Sequence, residues 1–224
     1  MNFIVFPVLC IVIAILFIYV ESRKQYLLSV IMKGLASACF VVFGILGSKM
    51  CADAGFARLI VIGLILGAIA DVMLNLRFVH PESGQKTFII GIVIFLAGHV
   101  MYFAALIPFA KHLIIAIAAG IVLAAVTLWM IFRSFEVKKA FKIFGTVYCL
   151  AIYVMVCTSV DAYISGACPH LLIMMIGAVF FLASDLVLIV NTFGPEFKQS
   201  RRVTNLMLYY IGQLLIGLGL QFFR

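Results

Sequence analysis

The sequence predicts an all-α membrane protein with eight transmembrane helices. Three observations carry this. Apolar residues make up 67% of the 224-residue chain and charged residues 11%, where a soluble domain is about half apolar and a quarter charged; the mean hydropathy is +1.30. The excess falls in blocks of about 20 residues, the length at which a helix crosses a bilayer. Alternation at strand period is absent, so a β-barrel is not expected. Helices also satisfy their own backbone polar groups, as lipid requires.

The blocks lie near 3–20, 27–47, 57–78, 87–109, 111–132, 143–163, 169–190 and 203–223. Met1-Asn2 leads straight into Phe3-Ile4-Val5, with no basic leader and no small-residue cleavage site, so the first block is expected to be a retained helix. The second block carries Lys33, the third Asp71 and Asn75, the fourth His99 and the sixth Tyr148. The seventh carries Ser184 and Asp185, and the eighth Tyr209 and Gln213. The lone Trp129, in the fifth, reads as packing or an interfacial anchor. Loops of about ten residues are expected at 48–56, 77–86, 133–142 and 191–202, with residues 1–224 forming one transmembrane domain.

The net charge of +8 does not point to nucleic acid, because of where it lies. Loops 1–2, 3–4, 5–6 and 7–8 carry Arg23, Lys24, Arg77, Lys86, Arg133, Lys138, Lys139, Lys142, Lys198, Arg201 and Arg202. The other side carries Lys49, Arg58, Lys111 and Arg224. Eleven against four is the positive-inside asymmetry, which places the first set in the cytoplasm and both termini outside. These cations read as orientation and lipid-headgroup charges. Glu21, Asp53, Glu136 and Asp161, at span ends or in loops, read as solvated. Cys10, Cys39, Cys149 and Cys157 lie within spans as small apolar residues. Cys51 and Cys168 share the outer side, where a disulfide is conceivable. No CxxC, HExxH or His/Cys cluster suggests a metal or redox centre.

Asp71 and Asp185 stand out, since a charged side chain at the centre of a bilayer costs about 2.5–3.5 kcal/mol even on insertion scales. They also coincide when the chain slides against itself by 114 positions. Gly63 then falls on Gly177, Leu74 on Leu188 and Gly98 on Gly212. Pro81, Glu82 and Gln85 fall on Pro195, Glu196 and Gln199, and His99 falls on Gln213. The expected architecture is therefore two parallel four-helix repeats, about 1–110 and 111–224, with the two aspartates converging near a pseudo-twofold axis.

At 1.5 Å per residue, Asp71, Asp185, Lys33, Tyr148, Tyr209, Gln213 and His99 all fall in the cytoplasmic half of the bilayer. Gly63, Gly67, Asp71 and Asn75 form one stripe at spacing four. Lys33 either reaches the interface or pairs with an aspartate. His99 reads as an interhelical bridge or a catalyst. Asn75, Tyr148, Tyr209 and Gln213 read as interhelical hydrogen bonders that also line the pocket, and Ser184 as bonding back to its own helix. Two carboxylates in a poorly solvated pocket share a proton, which suits general acid–base chemistry and equally a proton-coupled carrier.

Helix 3 reads GLILGAIADVMLNL (Gly63–Leu76) and helix 4 contains FLAGHVMYFAAL (Phe95–Leu106). Helix 7 reads GAVFFLASDLVLIVNTF (Gly177–Phe193), and helix 8 contains YYIGQLLIGLG. With Lys33, these motifs resemble the YhhN-like lysoplasmalogenase family of eight-helix membrane proteins. That family often has Lys-Pro in helix 2; here the pair is Lys33-Gly34, and glycine also permits bending.

The resemblance implies hydrolysis of the vinyl ether bond of a lysoplasmalogen to a fatty aldehyde and glycerophospho-ethanolamine or -choline, without metal or organic cofactor. On this reading Asp71 and Asp185 are catalytic, one as acid and the other as ionised partner, with the two roles unassigned. Lys33 holds a carboxylate charged or contacts phosphate, and His99 and Tyr209 position water or headgroup. The lysophospholipid enters sideways from the bilayer, with its headgroup at the basic rim. The alternative is a proton-coupled transporter of a small amphiphile; the almost wholly apolar outer half favours the enzyme. Short loops lean toward a bacterial inner membrane.

Overall fold

A computed structural model describes residues 4–137, 139–166 and 168–223. Lys138 and Arg224, counted in the charge asymmetry, and Met1, Asn2 and Phe3, read as the helix start, lie outside the described residues. Eight long helices account for nearly all the rest, and the described residues contain no strand. They are α1 (Val5–Ser22), α2 (Tyr26–Ser48), α3 (Ala54–Leu76), α4 (Gly84–Leu106), α5 (Leu113–Ser134), α6 (Lys139–Gly166), α7 (Pro169–Phe193) and α8 (Gln199–Phe222). All eight are long and apolar enough to cross a membrane.

Several helices run past their apolar blocks, so the connections are shorter than expected: 49–53, 77–83 and 194–198, with 135–137 described between α5 and α6. Polar residues such as Gln85, Lys86 and Lys142 leave the lipid but still propagate a helix, having no backbone reason to stop it. Other starts are set by caps. The Asp53 carboxylate accepts from the Gly55 and Phe56 amides at 2.8 and 2.9 Å, so it is an N-cap and not merely solvated. Pro169 occupies the first turn of α7, where a missing N–H costs nothing. Asp161 accepts from both the backbone and the ring of His112, tying the end of α6 to the start of α5.

Sequence neighbours pack pairwise along each half; the two most extensive contacts between the halves are α2 against α8 and α4 against α6, and α8 also touches α1 and α3. Exchanging the halves turns one of these joining contacts into the other. Peripheral α1 and α5 bury 17% and 22% of their most apolar stretch, against 56% for α8, which marks α8 as the centre of the bundle. The exposed faces are apolar, with Ile15, Ile114, Val122 and Trp129 directed outward as lipid would require.

Two glycine crossings set the closest approaches. A methyl carbon on Gly98 would lie 3.3 Å from the Gly63 carbonyl, and one on Gly212 would lie 2.9 Å from that of Gly177. A side chain at Gly212 would force α7 and α8 to shift, and one at Gly98 would crowd α3 against α4, so the missing side chains favour both close approaches. The two crossings are the pairs related by the 114-residue offset, which supports the proposal of two parallel repeats. All six cysteines, including Cys51 and Cys168, are free thiols.

Candidate functional site

α3 and α7 each present one aspartate inward, close to the end of the bundle that carries the basic connections. Asp71 is 2% exposed and Asp185 8%. Both line a single cavity of about 40 Å³, together with Lys33, Asn75 and Tyr209. At roughly 10–15 Å³ per water, that is room for about three or four waters.

The two carboxyls are held differently. Lys33 places its ammonium 3.0 Å from Asp71 Oδ1. Ser37, one turn further along α2, donates to Oδ2 at 2.6 Å, and Tyr209 from α8 donates to the same oxygen at 2.6 Å. Three of the roughly four acceptor positions of that carboxylate are therefore filled. Lys33 pairs with the aspartate instead of reaching the interface. Breaking such a buried pair on one side costs about 3–5 kcal/mol.

Asp185 has one donor. Tyr148 of α6 gives its hydroxyl proton to Oδ2 at 2.5 Å, and His99 Nε2 lies 3.1 Å from the same hydroxyl. With Tyr148 donating, its oxygen accepts from His99, which fixes the Nε2–H tautomer. Asp185 and Tyr148 also line a second cavity, of about 100 Å³, between α4, α6 and α7. Its remaining walls are almost entirely apolar, including Phe88, Phe95, Phe141 and Leu188. Gly145 forms part of this groove, and a side chain built there would meet open space.

A third and larger cavity, of about 540 Å³, lies at the basic end. Arg77, Phe78, Leu188 and Arg202 line both it and the aspartate chamber. Leu188 borders all three spaces. It follows Asp185 by three residues, so it stands on the same helix face.

Sequence reasoning placed Lys33, Asp71, Asn75, Asp185 and Tyr209 at one pocket, and all five line the chamber. Tyr148 lines the adjoining groove. His99 and Gln213 line neither cavity and act from behind. His99 steadies Tyr148, while Gln213 accepts from Tyr102 at 2.9 Å and approaches the Tyr209 hydroxyl at 3.4 Å. His99 touches no carboxyl and reaches Asp185 only through Tyr148. Asn75 donates to Ser29 at 2.9 Å, which leaves its carbonyl oxygen buried without a partner beside the chamber. Ser184 does not bond back to its own helix; it and its carbonyl accept from Asn205 of α8.

Four further residues belong to the site. Ser37 lies four residues after Lys33 on the same helix face, a signal present in the spacing. Arg77 and Arg202 read in sequence as orientation charges, and Glu21 as solvated. Instead Arg202 grips Glu21 with two N–H groups at 2.9 and 2.7 Å, across a separation of 181 residues and almost out of solvent. The pair joins the end of α1 to the start of α8 and forms one wall of the basic cavity.

Among the described residues, no group of three or more His, Cys, Asp or Glu side chains is placed to hold a metal ion. A family model described as the YhhN family matches residues 28–220, which includes every residue of the chamber. No curated protein and no solved structure matches the chain.

Proposed function

Since the chain belongs to the YhhN family, we propose that it is an intramembrane hydrolase that cleaves the vinyl ether bond of lysoplasmalogens. The products are a fatty aldehyde and glycerophospho-ethanolamine or -choline. One observation carries the reading. Two carboxyls of unequal surroundings face one water-sized chamber, which adjoins an apolar groove on one side and a basic cavity on the other. A single-chain phospholipid has those three parts: an apolar chain, a reactive linkage and a charged headgroup.

The unequal surroundings support one assignment of the roles. Asp185 has an unengaged oxygen and faces the groove where the alkenyl chain lies, so it carries the proton. Asp71, beside the Lys33 ammonium and two hydroxyl donors, carries the negative charge. Asp185 protonates the β-carbon of the vinyl ether, and the double-bond electrons form that C–H bond. The resulting oxocarbenium ion is stabilised by the Asp71 carboxylate. Water adds to the cationic carbon and gives its proton to Asp71. The hemiacetal then collapses. Its hydroxyl proton passes to Asp185, the C–O bond to glycerol breaks, and Asp71 returns its proton to the departing oxygen. Both aspartates end as they began, and one water is consumed.

The lipid enters from the bilayer between α4, α6 and α7. The basic end, by its charge, faces the cytoplasm, with both termini outside, in a bacterial inner membrane. The test is product analysis by mass spectrometry after incubation with a mixed lysolipid panel. Aldehyde from alkenyl substrates alone supports the reading. Undiminished aldehyde release by Asp71→Asn or Asp185→Asn would remove that residue from the mechanism.

A further inference from the structure

The basic cavity contains a cation for which the bundle supplies no counter-ion. Arg77 caps α3, and its guanidinium lies 4.5 Å from the ring centres of both Phe78 and Phe88. Its Nε is buried without a hydrogen-bond partner. Among the described residues, the ion pairs near this end join Lys33 to Asp71, Arg202 to Glu21, Lys198 to Glu196 and His80 to Glu82, and none includes Arg77. Glu21 is the one carboxylate among the residues lining the cavity, and both of its oxygens are taken by Arg202. Arg77 is partly buried, and withdrawing a cation from water with no anion in hydrogen-bond reach carries a cost. Here the aromatic faces relieve part of that cost, while the Nε donor still lacks an acceptor.

We propose that Arg77 is the seat of a phosphate oxyanion, supplied by the headgroup of the single-chain lipid. A guanidinium offers parallel N–H donors that match two phosphate oxygens at once. Lys24 lines the same cavity and adds a second positive charge. Arg77 also lines the aspartate chamber, so a ligand held by it reaches the reactive groups. Six residues separate Asp71 from Arg77, about 9 Å of helix rise, which a glycerol backbone and an arginine side chain span together. The inference rests on the lipid-hydrolase reading of the chamber, and its test separates the two.

Binding is measured by titration calorimetry on the purified full chain in a neutral, phosphate-free detergent. Three probes are compared: a lysophosphatidylethanolamine with an ester-linked chain, the matching monoacylglycerol, and inorganic phosphate. The wild type should prefer the lysophospholipid to the monoacylglycerol, and Arg77→Gln should reduce that preference on the order of tenfold or more, the worth of hydrogen bonds to a charged group. Arg77→Lys should fall between them, because one ammonium cannot fork. The ratio is taken within one preparation, so partial misfolding lowers both terms alike. An unchanged ratio in Arg77→Gln overturns the proposal. So does tight binding of inorganic phosphate with no preference between the two lipids, which would assign the cavity to a soluble anion. Aldehyde release from a lysoplasmalogen is scored separately. An Arg77-dependent preference without cleavage would defeat the hydrolase reading and leave the phosphate site standing; cleavage without the preference would do the reverse.

Discussion

Asp71 and Asp185 occupy matched positions on α3 and α7, yet their neighbours differ in kind. Asp71 meets an ammonium and two hydroxyls, all within 3.0 Å. Asp185 meets one phenol and the mouth of an apolar groove. At the positions corresponding to Lys33 and Ser37, α6 carries Val147 and Ala151, so the second half does not supply the donors of the first. Two copies of one side chain are thereby made unequal by what α2 and α6 bring to them. An acid–base pair needs that inequality, because two carboxyls in equal surroundings compete for the same role.

Replacing the aspartates one at a time tests this most directly. Asp185→Asn should reduce aldehyde release by about 10²–10⁴-fold, the usual worth of a positioned proton donor, while thermal unfolding in detergent barely moves. Asp71→Asn should lose activity and also unfold earlier, because Lys33 is left buried without its anion, a cost of about 3–5 kcal/mol. Equal unfolding temperatures for the two variants would abolish the asymmetry. The same pair can be taken from its other side. Lys33→Met alone should destabilise by a similar amount, whereas Lys33→Met with Asp71→Asn should recover much of the loss, read as a coupling energy in a double-mutant cycle.

The phenols give a finer contrast. Tyr148→Phe removes the one donor to Asp185 and should slow turnover by about 10–100-fold, as for a charge-assisted hydrogen bond. Tyr209→Phe leaves Lys33 and Ser37 on Asp71 and should cost less; a larger effect from Tyr209 would reverse the proposed roles. Smallest is Gly145→Leu. Its side chain enters open space in the groove, so the fold should hold, while KM for long alkenyl chains rises about tenfold, as for a few methylenes displaced from an apolar pocket. Short chains should be affected less. Transport into sealed vesicles without covalent change would instead favour a carrier.

The eight helices were legible because lipid imposes one crude rule, and 20-residue apolar blocks obey it. The aspartates were legible for the converse reason, as charges where that rule forbids them. Lys33 was visible but undecided, since a lysine six residues inside a span reaches either water or an anion with equal ease. Ser37 was missed because a serine in a helix says little until its neighbour is known. Arg77 and Arg202 were hidden by their company. In a row of basic residues at one membrane face, nothing local separates a headgroup anchor from a cation turned inward. The Glu21–Arg202 contact joins the first helix to the last, a distance no spacing rule bridges. His99 and Gln213 are the interhelical hydrogen bonders that one of their readings made them, yet neither lines the chamber, because which side chains reach a cavity depends on packing and not on spacing.

The chamber of about 40 Å³ has a consequence for which nucleophile is accepted. An oxocarbenium ion reacts readily with any hydroxyl compound and would form acetals with ethanol or glycerol in the surroundings. With the lipid's own linkage already inside a space of about three or four waters, the room left beside the cationic carbon suits water better than a second, bulkier alcohol, so size favours water. The organic product should accordingly remain free aldehyde even when the assay contains abundant alcohol.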